Sequence, residues 1–259
     1  MTAGEFTRAA RLTLSLARHE IAAQHKESFL GVVWIVLWPV VQAAGFLLAF
    51  HLIRGGVSGI DTVLSTYIGV LVWTTASSVL VSNLGILKSN REMITQVVFS
   101  FSILSVVDLT VKYLFFLIQF CVALALWFLL VPNDHWYLVL AYLPIYLVAF
   151  YLVLLATAWV ASILGVALPD LSFLLPPVLV LLLVLSPVFQ RSADALPWIV
   201  RGFNEINPLS MWVEALYSTI DVAKTGPSAP VLFLASSVVA VAAARFLVRV
   251  FYREMAKVI

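Results

Sequence analysis

The chain has 259 residues, of which 63% are apolar and only 11% charged, and its mean hydropathy is +1.07. That balance lies far outside the range of soluble domains and describes an integral membrane protein. With a formal charge of +2 it has no electrostatic footprint for nucleic acid, and its length leaves room for about six helices of roughly 20 residues, so any soluble engine must be another chain.

The N-terminal stretch MTAGEFTRAARLTLSLARHE interleaves Arg8, Arg11 and Arg18 with leucines and lacks the uninterrupted apolar core and small-residue cleavage site of a signal peptide. It is read as mature and cytoplasmic. On a helical wheel Arg8, Arg11, Ser15, Arg18, His19 and Lys26 share one face, and Phe6, Ala10, Leu14, Ala17 and Ile21 the other. An amphipathic helix lying in the membrane surface is predicted, either as a plain lipid anchor or with its polar face used for docking.

Six segments are long and apolar enough to be predicted as spans: Phe29 to Ile53, Thr62 to Leu87, about Ile103 to Val131, Trp136 to Leu168, Leu171 to Phe189, and Pro230 to about Phe251. The fourth is overlong and is expected to include tilted or interfacial turns. Six spans put both termini on one side. Arg8, Arg11, Arg18, Lys26, Lys88, Arg91, Arg245, Arg249, Arg253 and Lys257 fall on that side, against Arg54, Arg191, Arg201 and Lys224 opposite, so the termini and the Lys88 connection are predicted to be cytoplasmic.

The connection LKSNREMITQVVFSFSIL carries Lys88, Asn90, Arg91, Glu92 and Gln96 ahead of an apolar run. Its length and mixed polarity suit a short helix parallel to the membrane that docks something cytoplasmic, although a basic loop alone would satisfy the positive-inside pattern. In the third span Asp108 and Lys112 stand at i, i+4, as a structural ion pair or as part of a gate. Between the fourth and fifth spans Pro169 and Asp170 make a turn, with Asp170 placed to cap the following helix.

After the fifth predicted span the pattern breaks into two short apolar pieces, ALPWIV and PLSMWV, the second extending to about Ile220. Neither can cross about 30 Å of hydrocarbon. Broken backbone at membrane depth needs protein or water around it. A re-entrant helical hairpin near the outer mouth of a pathway is therefore predicted, with Asn204, Glu205 and Asn207 at its turn. An interfacial loop anchored by Trp198 and Trp212 is the other reading.

Several chemistries are excluded. No Gly-rich phosphate loop precedes Lys88-Ser89 or Lys224-Thr225, His19-Glu20 lacks the second His of a zinc protease, and Lys224-Thr225-Gly226 has no accompanying Ser-x-x-Lys. The lone Cys121 lies inside an apolar run and offers neither a disulfide framework nor a cysteine metal site. Spans nearly empty of ionisable groups argue against a proton relay or an ion-coupled pump.

Taken in order, ARHEIAAQHKESFLGVVWIVLWPVV, LGILKSNREMITQVVFSFSIL and LGVALPDLSFLLPPVLVLLLVLSPVFQ followed by LPWIVRGFNEINPLSMWVEAL resemble the membrane subunit of a type-2 ABC exporter, of the family that exports O-antigen, capsular polysaccharide or teichoic acid. The resemblance implies an all-α fold of six transmembrane helices with an N-terminal amphipathic interface helix (1–28), spans one to five (29–189), an external gate region (190–228) and a sixth span with a cytoplasmic tail (229–259). It implies a homodimer above two copies of an ABC ATPase, which would carry the ATP and Mg, leaving this chain without a cofactor or catalytic residues of its own. Coupling to the ATPase would involve Arg18, Lys26, Lys88, Asn90, Arg91, Glu92 and Asp170. Gate helices would involve Pro197, Trp198, Asn204, Asn207, Pro208 and Trp212. The family's Arg-Asp after the fourth span is Pro169-Asp170 here, so the contact of that Arg does not carry over.

Sugars stack their C–H faces on aromatic rings, and the chain is 13% aromatic. Tyr67, Trp73, Phe115, Tyr151 and Trp159 are the candidates for lining a glycan path. The expected function is the permease half of an ATP-driven exporter of lipid-linked polysaccharide in a bacterial cytoplasmic membrane. A teichoic acid, small lipid or drug cargo is the alternative, and a channel or scaffold without an ATPase is a third reading.

Overall fold

The computed structural model describes residues 59–90, 101–132, 135–188, 198–221, 226 and 228–258, with scattered helical positions between 33 and 48. The predicted surface helix with Arg18 and Lys26, most of the first predicted span, the connection holding Arg91 and Glu92, and Pro197 lie outside the described residues.

Among the described residues there are seven helices and no strand: α1 Ile60–Ser89, α2 Phe101–Leu130, α3 Trp136–Ala167, α4 Leu171–Leu185, α5 Trp198–Ile206, α6 Pro208–Ile220 and α7 Ser228–Val258. Four of them, α1, α2, α3 and α7, contain stretches long and apolar enough to cross a membrane, whereas α4 is apolar but only 15 residues long. Each long helix runs past the roughly 20 residues that a span requires. The helical ladder satisfies the backbone internally, as hydrocarbon demands.

α1 is the centre of the assembly. Every residue from Leu64 to Trp73 is buried, so this helix is covered on all sides, by α2, α3, α4 and α6. It begins after Gly59, whose φ of +85° is open to glycine and strained for other residues. α3 packs against α1 on one side and most extensively against α7 on another. α7 contributes a narrow stripe, Phe233, Ser237, Ala244 and Val248, with Leu234 packed partly against the core, while Leu232, Val238, Val239, Phe246 and Val250 are exposed. Small residues let backbones approach in such bundles, and α3 supplies Ala149, Ala156, Ala158, Ala161 and Gly165, all buried.

The fourth predicted span is one continuous 32-residue helix, with Pro144 inside it. Two local expectations are corrected. The fifth predicted span stops at Leu185 and not at Phe189. Pro187 disfavours α-helical geometry at the residue before it, and Ser186 is extended, with φ −77° and ψ 163°. Asp170 sits at the N-cap of α4 but makes no side-chain cap bond. Its backbone is already helical (φ −69°, ψ −18°), outside the extended geometry from which a cap side chain folds back onto the first turn.

Candidate functional site

The two short helices meet at Asn207, which breaks the ladder with φ −74° and ψ 113°. Its Oδ1 accepts from the Leu209 amide at 3.1 Å, a cap supported by Pro208 at the first helical position, where a missing N–H costs nothing. Ser210 donates to Asn204 Oδ1 at 3.0 Å and closes the elbow from the α5 side. Asn204, Asn207 and Ser210 are all buried. Asn204 and Glu205 thus belong to α5, and the turn falls on Asn207 alone, because proline at 208 sets the break one residue earlier.

α6 is amphipathic. Leu209, Trp212, Val213, Leu216, Tyr217 and Ile220 recur at helical spacing and are buried, while Met211 and Glu214 are exposed. The buried face contacts α1, α3 and α7. Tyr146 of α3 donates to the Trp212 carbonyl at 3.2 Å, and the Phe150 ring meets the Trp212 indole edge-on at 6.4 Å. On the other flank the Tyr217 hydroxyl donates to the Ser65 carbonyl of α1 at 3.1 Å.

Those contacts fix how far in the short helices sit. At 1.5 Å per residue, Tyr146 and Phe150 lie about 15 and 21 Å along α3 from its start at Trp136. Ser65 lies only about 8 Å along α1 from Ile60. α6 therefore reaches from the Ile60 end of α1 well into the middle of the helical assembly, and the Asn207 elbow stands deeper still.

A second polar site joins α1 to α2. Asp108 and Lys112 form the predicted ion pair, and it is wired to α1 by three further bonds. Ser82 donates to Asp108 Oδ2 at 2.7 Å, Asn83 Nδ2 donates to the same oxygen at 2.9 Å, and Lys112 donates to Ser82 Oγ at 2.8 Å. Asn83 Nδ2 also donates to the Val79 carbonyl at 2.9 Å. Nearly every lone pair and proton that ionisation exposes has a partner, which is what lets two charges persist between apolar helices. The Ser82-Asn83 doublet in the second predicted span was the signal for this pairing, and sequence reasoning missed it.

The family model described as ABC-2 type transporter matches residues 11–220, which takes in every described helix before α7. The chain belongs to the ABC-2 type transporter family. A comparison with curated proteins found no match. Family membership makes it the multi-pass permease component of an ABC transporter, a class that works with an ABC ATPase partner.

Within this ABC-2 permease the predicted coupling residues separate. Lys88 is exposed in the last turn of α1, Asn90 donates to the Ile86 carbonyl just beyond it, and Asp170 is exposed at the start of α4. Of the predicted gate residues, Asn204, Asn207 and Trp212 are buried, Pro208 is exposed at the head of α6, and Trp198 opens α5. The proposed path aromatics are not brought into one wall. Tyr67 and Trp73 are buried in the main core around α1, Phe115 is half-buried on α2, and Tyr151 meets Tyr113 edge-on at 5.0 Å. Trp159 belongs to a separate small cluster with Ile86, Leu87, Leu104, Ile163 and Val248. The rings that do assemble are others: Tyr113, Phe116, Phe120, Phe150 and Tyr146 form a column linking α2 to α3, with neighbouring centroids 5.1 to 6.4 Å apart.

Proposed function

We propose that this ABC-2 permease is the membrane half of an ATP-driven exporter that moves a lipid-linked polysaccharide, of O-antigen or capsular type, out across a bacterial cytoplasmic membrane. The observation that carries the reading is the α5–α6 hairpin. It consists of two helices too short to cross, of which α6 is seated among α1, α3 and α7 at the end of the assembly opposite Lys88 and α5 packs on α6. Placed on the external side, such a hairpin is a gate over the exit, with Pro197, Trp198, Asn204, Asn207, Pro208 and Trp212 at its moving parts. The resemblance of the segment from Leu196 to Leu216 to the polysaccharide exporters supplies the cargo class.

In this account six spans cross the membrane, with residues 29–53 forming the first and α4 the fifth. The short reach of α4 is tolerated because Ser186 to Val188 continue it inside protein. Residues 1–28 lie on the cytoplasmic surface, residues 190–228 form the external gate region, and both termini are cytoplasmic. Two copies of the permease stand over two ATPase subunits, which hold ATP and Mg. ATPase closure is transmitted through Arg18 and Lys26, through the connection carrying Lys88, Asn90, Arg91 and Glu92, and through the turn at Asp170. This chain carries out no bond chemistry.

The coupling assignment predicts that Arg91→Ala/Glu92→Ala leaves complex assembly and ATP hydrolysis within about twofold of wild type. Export should fall at least about tenfold, the cost of roughly 1.4 kcal/mol of lost coupling free energy. Surface polysaccharide and ATPase rate measured on the same cells and membranes check this. Wild-type export by the double variant would remove the coupling role and favour a channel or scaffold.

A further inference from the structure

Two backbone carbonyls from separate segments converge on one side-chain hydroxyl. Tyr217, near the end of α6, donates to the Ser65 carbonyl of α1 at 3.1 Å and lies within 3.4 Å of the Val188 carbonyl. Val188 is buried and stands just before the stretch that leads into α5. A single phenol, carried where the chain leaves the hairpin, therefore touches both α1 and the chain where it approaches the hairpin. Gly69 makes the seat for the phenol and for Val188. A Cβ at that position would overlap the Tyr217 hydroxyl and come within 3.3 Å of Val188 Cγ1.

A phenol has one proton, so it donates fully to one carbonyl at a time. The two acceptors differ in what they move with. Ser65 is part of α1, and Val188 lies past the end of α4 at the base of the hairpin. In surroundings poor in water a hydroxyl stripped of its acceptor is costly, and a second, weaker acceptor within reach lowers that cost. Tyr146, on the opposite flank of α6, donates to the Trp212 carbonyl and fastens α6 to α3.

We infer that Tyr217 is a latch that holds α6 on α1. Its proton rests on Ser65 at 3.1 Å while α6 is docked, and the Val188 carbonyl at 3.4 Å is the weaker acceptor left to it when α6 and the hairpin base separate from α1. The stronger bond is made only in the docked arrangement, so the α1 face of α6 opens at that cost while the Tyr146 face holds. The consequence for transport rests on reading the hairpin as the gate, whereas the latch itself is a property of the α1–α6 contact.

Electron–electron distance measurement on the purified full-length chain in lipid nanodiscs tests it. Spin labels are placed at Ile60→Cys on α1 and Met211→Cys on α6, both exposed positions, with the exposed Cys121 replaced by Ser. Tyr217→Phe is expected to raise the ratio of the longer to the shorter α1–α6 distance by about two- to fivefold, the upper figure being the value of one hydroxyl bond. Gly69→Ala, which keeps the hydroxyl but pushes it from its seat, should shift the ratio in the same direction. Tyr146→Phe should leave it unchanged. Distances identical to wild type in Tyr217→Phe, or an equal shift in Tyr146→Phe, would overturn the latch. If Tyr217→Phe is not monodisperse, Gly69→Ala decides by the same criterion. Undiminished export with α5–α6 cross-linked to α3 would refute the gate reading and leave the distance result standing.

Discussion

Replacing Asp108 with Leu is expected to lower the unfolding temperature of the detergent-purified permease by roughly 6–12 °C, followed by tryptophan fluorescence. The change leaves the Lys112 ammonium between α1 and α2 with Ser82 as its remaining partner and takes the acceptor from Ser82 and Asn83. Breaking a buried ion pair from one side costs about 3–5 kcal/mol. The side chains of Lys112 and Asp108 are 21% and 14% exposed, which places the loss at the lower end, about 3 kcal/mol. Removing both charges, as Asp108→Leu/Lys112→Met, strands no ion and should recover at least about half of the loss. A double variant as unstable as the sum of the singles would show that Asp108 and Lys112 are energetically uncoupled and would contradict the stranded-charge account.

Gly165→Ala is the second large effect, from sterics instead of charge. A Cβ on Gly165 would overlap the backbone carbonyl of Leu84, so α3 and α1 touch main chain to main chain there. A flexible side chain could step aside, but a helix backbone cannot move without shifting the whole of α1. Overpacking typically costs about 1–3 kcal/mol, and a backbone obstacle puts this site at the upper end, about 3 kcal/mol. Gly85→Ala, one residue beyond that contact on α1, meets nothing within 4 Å and should be neutral or slightly stabilising, since it removes a helical glycine. Equal unfolding temperatures for the two alanine variants would contradict the close approach of α1 and α3.

The long helices were legible because their signal is additive: α1 and α3 follow the predicted Thr62 to Leu87 and Trp136 to Leu168 within two residues at each end. The break at Asn207-Pro208 was legible for a local reason, the proline. The error at the end of α4 came from weighing apolarity above Pro187, and the missing cap at Asp170 from assigning a side-chain role before its backbone angles were known.

What stayed hidden is lateral. Helices such as α1 are apolar nearly all round, so no periodicity says which face meets which neighbour. Ser82 and Asn83 could not be assigned to Asp108, nor Tyr217 to Ser65, 152 positions away in the chain. Nor does the sequence say which rings pack together. Tyr67 and Trp73 join the core around α1, with Tyr151 against it, and Trp159 joins a different cluster.

The most direct measurement is the composition of the complex purified from native membranes in mild detergent through a tag on this chain, read by native mass spectrometry. The account predicts two copies of the permease with two copies of an ABC ATPase, and a lipid-linked glycan released from the preparation. A chain that elutes without any ATPase under several gentle conditions, or a complex whose cargo is a polyol-phosphate polymer or a small lipid, would contradict it.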